Sequence, residues 1–338
     1  MNKAAVGDDK AKTPERRRPT RRIDLGAVAP FAALALLAAF GAFVNPRFLG
    51  FENLSNVITR SAFIATIAVG QTLVITAGGL DLSVGAMAAF VSGVTILFLN
   101  FGLVDNPAVM IGLAMVLALG MGAVCGVANG LTTTVGKIEP FIVTLGTMGI
   151  FRSLVTWLAQ GGSITMKSAD LRAAYRPVYF GDVLGVPIPV LAILAVALIG
   201  SFLLYRTAFG RHLMAVGSNE DVARFSGINV TRVRTLTYVF QGLCVAVAVI
   251  VYVPRLGSTT STTGLLWELQ AITAVIIGGT RLQGGVGRVW GTIAGALILE
   301  VIGNIMVLSD LVSEYLIGAV QGAIIIIAML AQRSLRGR

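Results

Sequence analysis

Five polar side chains lie inside or beside long apolar stretches and are the best candidates for contact with a polar solute. They are Gln71, Asp81, Asn129, Glu300 and Asn304. An acidic group at the centre of a bilayer costs about 2.5–3.5 kcal/mol on insertion scales. Each of these side chains must therefore face protein or water, or lie near an interface. We expect them to line a water-filled path, because amides exchange hydrogen bonds with a polyol without requiring a charge.

Within this set, Glu300 and Asn304 are four residues apart, so they share one face of a helix. Asp81 has an alternative role. It follows two glycines and precedes an apolar stretch, where its carboxylate is placed to cap free N–H groups at a helix start. A proton relay through Glu300 is a weaker alternative, since no histidine or paired carboxylate accompanies it in an apolar stretch.

The composition indicates an all-α integral membrane protein. Hydrophobic residues make up 56% of the chain and charged residues 12%, about half the charged fraction of a soluble domain. The apolar stretches are continuous rather than alternating, which favours helices over a barrel. Cys125 and Cys244 lie inside apolar stretches and His212 is the single histidine, so we expect no metal site and no disulfide.

We predict about ten transmembrane helices within a membrane domain of residues 26–332. They are residues 26–44, 57–77, 83–101, 108–133, 140–160, 188–206, 233–254, 265–279, 289–308 and 314–331. Most of the 26 lysines and arginines fall on one side if both termini are cytoplasmic, as the positive-inside rule requires. Residues 1–25 then form a basic cytoplasmic tail that we expect to be disordered, and residues 333–338 form a second tail. An uncleaved first helix is favoured over a signal peptide.

Glycines recur every fourth residue in one predicted span and at the start of another. The two sets are Gly122, Gly126 and Gly130, and Gly287, Gly291 and Gly295. Residues four apart share a helix face, and the missing side chain lets two backbones approach closely. We expect tight helix packing at both sets; a sliding seam that opens a pore would use the same residues.

Two glycine-rich breaks resemble one another. They read Gly78-Gly-Leu-Asp-Leu-Ser-Val-Gly85 and Gly278-Gly-Thr-Arg-Leu-Gln-Gly-Gly285, and share the pattern Gly-Gly-x-x-Leu-x-x-Gly. The match suggests two related halves. Broken helices at corresponding points of two halves often border a substrate path.

A polar block, residues 210–229, separates two spans on the predicted cytoplasmic side. Residues 223–227 are compatible with a short helix closed by glycine, with Glu220 and Asp221 in its first turn. On the predicted external side the sizeable loop is 161–187, interpreted as a solvated connector, with a docking surface as the alternative.

Four motifs, in this order, resemble those of the inner-membrane permeases of bacterial ribose-type sugar ABC importers, a group related to the branched-chain amino-acid permeases. They are Gly78-Gly-Leu-Asp-Leu-Ser-Val-Gly85, Pro140-Phe-Ile-Val-Thr-Leu-Gly-Thr-Met148, the block 210–229, and Ile277-Gly-Gly-Thr followed by Gly284-Gly-Val-Gly287. The resemblance runs from about Asn45 to the C-terminal arginines.

The resemblance implies a transport subunit rather than an enzyme, paired with a second permease copy as a homodimer. A periplasmic binding protein would deliver a monosaccharide or related polyol. A separate ATPase would bind ATP and Mg²⁺, and this chain itself would bind no cofactor. Residues 207–232 would be the segment that couples to the ATPase, through Gly210, Gly217, Asn219, Glu220, Ala223, Arg224, Gly227 and Asn229. Ser218 departs from the family pattern, where glycine is common.

Two other functions remain as alternatives. A permease for branched-chain amino acids would share these motifs, because recognition of the ammonium and carboxylate groups usually resides in the binding protein. A stand-alone ion-coupled secondary transporter would take up solute without ATP.

Overall fold

The computed structural model describes residues 25–309, together with residues 316, 318–320, 322, 323 and 326. Within this part the helices are α1 (Leu25–Val44), α2 (Phe51–Thr76), α3 (Val84–Phe101), α4 (Pro107–Thr134), α5 (Pro140–Leu158), α6 (Ala169–Tyr175), α7 (Pro177–Phe180), α8 (Ile188–Arg206), α9 (Ala208–Ser218), α10 (Glu220–Phe225), α11 (Val230–Leu256), α12 (Trp267–Ile277) and α13 (Val289–Ser309). The short strands are β1 (Ser163–Thr165), β2 (Asp182–Val183), β3 (Val186–Pro187) and β4 (Ser258–Thr260).

Eight of the described helices are long and apolar enough to cross a membrane: α1, α2, α3, α4, α5, α8, α11 and α13. Each corresponds to a span predicted from the sequence. The predicted span 265–279 is different: α12 has 11 residues, about 16 Å of helix, and is too short to cross the hydrocarbon core alone. The predicted span 314–331 lies largely outside the described residues, as do nearly all of the two tails.

Local sequence signals explain several helix ends. Asn106 precedes the proline that opens α4, and its side chain accepts hydrogen bonds from the N–H groups of Ala108 and Val109. Gly102 and Gly257 have φ values of 58° and 64° and close α3 and α11. Glycine adopts this left-handed conformation without steric cost, so both helices end where the sequence changes from apolar to glycine.

The centre of the bundle is formed by α2 and α11, which pack against each other and carry more buried residues than any other two of the described helices. Helix α4 packs on α11, and α13 packs on α2, α12 and α1. Many large apolar side chains on α4, α5 and α8 remain exposed. This is the pattern of a membrane protein, whose outer helices face lipid.

The first glycine set lies along the contact between α4 and α11. A methyl group at Gly122 would collide with the carbonyl oxygen of Gly242, and one at Gly126 with the carbonyl oxygen of Tyr238. At Gly130 an added Cβ would lie 2.7 Å from the Cα of Thr235. The backbones of the two helices therefore approach as closely as glycine permits.

The second set lies on α13. Methyl groups at Gly291 and Gly295 would strike the carbonyl oxygens of Gly278 and Ala274, so these residues bring α13 against α12. Gly287, just before α13, approaches the hydroxyl of Thr76 at the end of α2.

The two ends of the bundle differ in character. One end, the loop face, carries residues 161–187, where β1 pairs antiparallel with β4 and β2 pairs with β3. Tyr175 ties this loop to α11, because its hydroxyl donates to the carbonyl oxygen of Ile250 at 2.9 Å. Burial raises the pKa of the Tyr175 phenol, which keeps this donor protonated. The opposite end carries α9 and α10, and is called the coupling face after the role that the sequence resemblance leads us to expect.

Candidate functional site

The polar block predicted from the sequence folds into two short helices on the coupling face. Helix α10 has Glu220 and Asp221 in its first turn and is followed by Gly227 at φ 80°, which is the short glycine-closed helix that the sequence predicts. Asn219 caps this helix: its side chain accepts a hydrogen bond from the N–H of Val222 at 3.0 Å. Ala223 is buried on the inner side of the helix.

Asn229 performs the same local task for α11, since its side-chain oxygen accepts from the N–H of Arg232 at 2.9 Å. Gly210, near the start of α9, lies directly on the last turn of α8, where a side chain would collide with the carbonyl oxygens of Leu203 and Leu204. These contacts hold α9 tightly under the end of α8.

Glu220 connects the surface helix to the transmembrane bundle. Its carboxylate accepts from Arg224 at 2.7 Å and from Arg234 at 2.8 Å. Arg224 belongs to α10, whereas Arg234 lies in the first turns of α11. The Arg224 pair is exposed and adds little stability, but the Arg234 pair restrains the orientation of α10 relative to α11.

Gly217 lies between the two glycine-rich breaks. A methyl group on Gly217 would collide with the carbonyl oxygen of Thr76, and would lie 2.7 Å from the N–H nitrogen of Gly285. Those two groups are hydrogen-bonded to each other at 2.9 Å. A Cβ atom added at Gly78 would lie 3.7 Å from the Cα of Gly217. The end of α9 therefore contacts both breaks at once.

The predicted path residues do not form one cluster. Asp81 and Asn129 are fully buried in the protein and share a network with Ser83. Asp81 accepts from the N–H and hydroxyl of Ser83 at 2.8 and 2.6 Å, and Asn129 donates to that hydroxyl at 2.8 Å. Ser83 is the residue before α3, and no side chain caps this helix; Asp81 therefore orders the chain just ahead of α3 and is not the helix-capping carboxylate that the sequence offered as an alternative. Gln71 is also fully buried, in α2.

Glu300 and Asn304 lie one turn apart on α13 and are only partly buried. Asn304 and Asn53 exchange reciprocal hydrogen bonds of 2.8 and 3.0 Å. Glu300 is attracted electrostatically to Arg60 and Arg255. The Asn53–Asn304 pair links α13 to α2.

Two apolar residues on α10 had no role in the sequence analysis. Phe225 is 91% exposed and Val222 is 60% exposed, although both belong to a polar surface helix. The available signal was the presence of a valine and a phenylalanine in the mostly polar run of residues 218–227. Beside α10 lies a cavity of about 420 Å³ with a mostly polar lining, which includes Gly78, Lys137 and Arg234.

Comparison with known proteins places this architecture in a family. The family model described as the branched-chain amino acid transport system / permease component matches residues 53–329. The chain belongs to this family. With its eight apolar helices of spanning length, it is a multi-pass permease component of the bacterial inner membrane.

The chain is similar to several proteins over most of its length. It is 38% identical to the ribose import permease protein RbsC of Bacillus subtilis, covering 95% of this chain and 98% of that protein. It is 34% identical to the RbsC protein of Haemophilus influenzae, over 90% and 92% of the two chains. The D-allose transport system permease protein AlsC of Escherichia coli is 33% identical, over 90% of each.

A solved structure shares the fold. It is described as a metal-chelate type ABC transporter in an inward-facing conformation, with a TM-score of 0.52 over 90% of this chain and 98% of that chain. The identity is 14%, so the likeness concerns the arrangement of helices alone.

Proposed function

We propose that this chain is the permease subunit of an ATP-driven importer that moves a monosaccharide across the bacterial inner membrane. The observation that carries the proposal is its identity of 33–38%, over about nine-tenths of its length, to permeases named for ribose and D-allose import. The family description also mentions branched-chain amino acids. The named sugar permeases favour a sugar over an amino acid.

The importer needs three partners. A separate ATPase binds ATP and Mg²⁺, a periplasmic binding protein delivers the sugar, and a second copy of this chain completes the pathway as a homodimer. The geometry of α10 supports the first of these. A large aromatic side chain that is almost fully exposed on a charged helix is typical of an anchor for another protein.

The coupling segment transmits movement from the ATPase to the pathway. Closure of the ATPase displaces α9 and α10, and Gly217 passes that displacement to both glycine-rich breaks because it touches each of them. The glycine contacts between α4 and α11, and between α12 and α13, are the surfaces about which helices rock during alternating access. In this proposal the coupling segment moves first, and the helices that meet at the glycine contacts move in response.

The polar residues of the spans divide between two tasks. Glu300 and Asn304, which are partly exposed, line the solute path. Gln71, Asp81 and Asn129 are buried in this conformation, so they meet solute only after the neighbouring breaks have moved.

The test uses the native bacterium with and without the gene for this chain. Cells are given ¹⁴C-labelled D-ribose, D-allose or leucine, with and without a protonophore, and a tagged copy of the chain is purified in mild detergent. We expect sugar uptake to require the gene, and an ATPase with two nucleotide-binding halves to co-purify. Gene-dependent uptake of leucine alone would contradict the sugar assignment. Uptake by the purified chain without any ATPase would support an ion-coupled transporter instead.

A further inference from the structure

Residues 258–263, which follow α11, run from the loop face into the depth of the bundle. At the start, β4 pairs with β1, and a Cβ added at Gly93 of α3 would lie 3.8 Å from the methyl carbon of Thr259. At the end, Gly264 packs directly on Gly85, in the first turn of α3. Gly93 and Gly85 are separated by eight helical residues, so the segment descends about 12 Å along α3.

Residues 258–260 are extended and residues 261–266 form turns, so a non-helical segment leads into α12, which is the helical part of the span predicted at 265–279. Non-helical backbone is tolerated at membrane depth only where it is buried in protein or lines a water-filled cavity. In transporters, such discontinuous helices commonly form the solute site. The position of residues 258–263 therefore predicts a polar cavity beside them.

An arginine side chain holds the segment in place. Arg152 of α5 donates from Nη1 to the carbonyl oxygen of Ser261, and to that of Thr263 at 2.6 Å. Since charges are expensive inside a membrane and are retained there mainly for function, Arg152 points to the segment that it positions.

A cavity of about 350 Å³ lies beside the segment, within the size range of small-molecule sites. Its walls include Tyr252, Thr260, Thr262, Thr263 and Trp267. The hydroxyls of Thr260 and Thr262 are 2.9 Å apart, and the hydroxyl of Thr263 accepts from the N–H of Thr260 at 3.0 Å. Each hydroxyl has one donor and two acceptor positions, so this network keeps capacity for a ligand.

Two further features suit a neutral, hydroxyl-rich solute. None of the described residues that line the cavity carries a charge, so an ammonium or carboxylate group would find no counter-ion there. The half-buried rings of Trp267 and Tyr252 meet edge to face at 5.1 Å and offer an aromatic surface to the C–H face of a sugar.

We infer that this cavity is a solute site of the permease, in which threonine hydroxyls bind the hydroxyl groups of a monosaccharide and Trp267 packs against its ring. The inference rests on the proposed function and names the residues that contact the solute. The site is separate from the coupling face, so changes to it affect solute transfer rather than the response of the ATPase.

The test measures sugar uptake and ATP hydrolysis on the same proteoliposomes, which contain the complete importer and its binding protein. The labelled sugar is whichever of D-ribose and D-allose the wild-type complex imports better. We expect the variant T260V/T262V to import about tenfold less sugar per ATP, as the loss of one or two hydrogen bonds predicts, while stimulated hydrolysis stays unchanged. Valine preserves the shape and strand preference of threonine. The control is Ser163→Ala in β1, opposite Thr260 but outside the cavity wall.

A second pair of variants tests the aromatic wall without removing hydroxyls. We expect Trp267→Phe to retain most uptake and Trp267→Leu to lose it, both with unchanged stimulated hydrolysis. Wild-type uptake per ATP in both T260V/T262V and W267L would overturn the solute site while leaving the importer function intact. If the wild-type complex imports leucine and neither sugar, the proposed function fails and the solute site fails with it.

Discussion

At the scale of single residues, exposure is as informative as burial. Phe225 combines a large apolar side chain with 91% exposure on the coupling face, next to a network of Glu220, Arg224 and Arg234. The charges orient α10, and the aromatic ring is then available to a partner. Aromatic anchors surrounded by polar groups dominate the energetics of many protein interfaces.

The variant Phe225→Ala tests whether the aromatic ring binds the partner while the neighbouring charges orient α10. We expect the affinity of the permease for its ATPase to fall by about 2 kcal/mol or more, the range of an interface anchor, because the ring no longer fills a pocket on the partner. The measurement is binding of the purified ATPase to the detergent-solubilised permease. Phe101→Ala is the matched control, since Phe101 is 73% exposed but lies at the loop-face end of α3. Equal affinities for wild type and Phe225→Ala would remove Phe225 from the interface.

At the scale of helices, the regularly spaced glycines lie where the backbones of two helices approach each other closely. The spacing of Gly122, Gly126 and Gly130 identifies one face of α4, but it does not identify the partner helix. That partner is α11, whose Gly242 reciprocates the contact with Gly122. The spacing is a local property of one helix, whereas the partner depends on how the whole bundle assembles.

Two glycines of α4 provide a matched pair for a stability measurement. Gly122→Ala inserts a methyl group into the contact with α11 and should cost about 1–3 kcal/mol, as overpacking does. Gly112→Ala, which has no neighbour within 4 Å, should be neutral or stabilise by up to about 1 kcal/mol through helix propensity. Thermal unfolding in one detergent gives both values as shifts in Tm. A similar loss of Tm in the two variants would argue against the close contact with α11.

At the scale of the whole molecule, Gly217 joins the coupling face to both glycine-rich breaks. Gly217 touches the carbonyl oxygen of Thr76 and the N–H of Gly285, which belong to the ends of α2 and of the second break. A displacement of α9 must therefore move both. The two similar breaks, far apart in the chain, meet at the same helix end.

Substitution of Gly217 should uncouple ATP hydrolysis from sugar uptake in the assembled importer. Gly217→Ala adds a methyl group where backbone lies within contact distance, so α9 must shift away from both breaks. We expect ATP hydrolysis by the assembled importer to continue while sugar uptake falls several-fold, measured together in proteoliposomes. Gly146→Ala in α5, where nothing lies within 4 Å, is the control. Normal uptake by Gly217→Ala at a normal level of complex would exclude this route of transmission.

The sequence by itself determined the class of protein, eight spans, the short helix α10 and the permease family. These follow from local quantities: mean hydropathy over a span, capping residues and contiguous motifs. Only the tertiary structure decided that residues 265–279 do not form a full span. The segment is apolar enough to be counted as one, but residues 261–266 form turns, which Arg152 and Gly85 hold from other parts of the chain, so the helix covers only Trp267–Ile277. Contacts between distant residues carry no local signal, and for the same reason the meeting of both breaks at Gly217 appeared only in three dimensions.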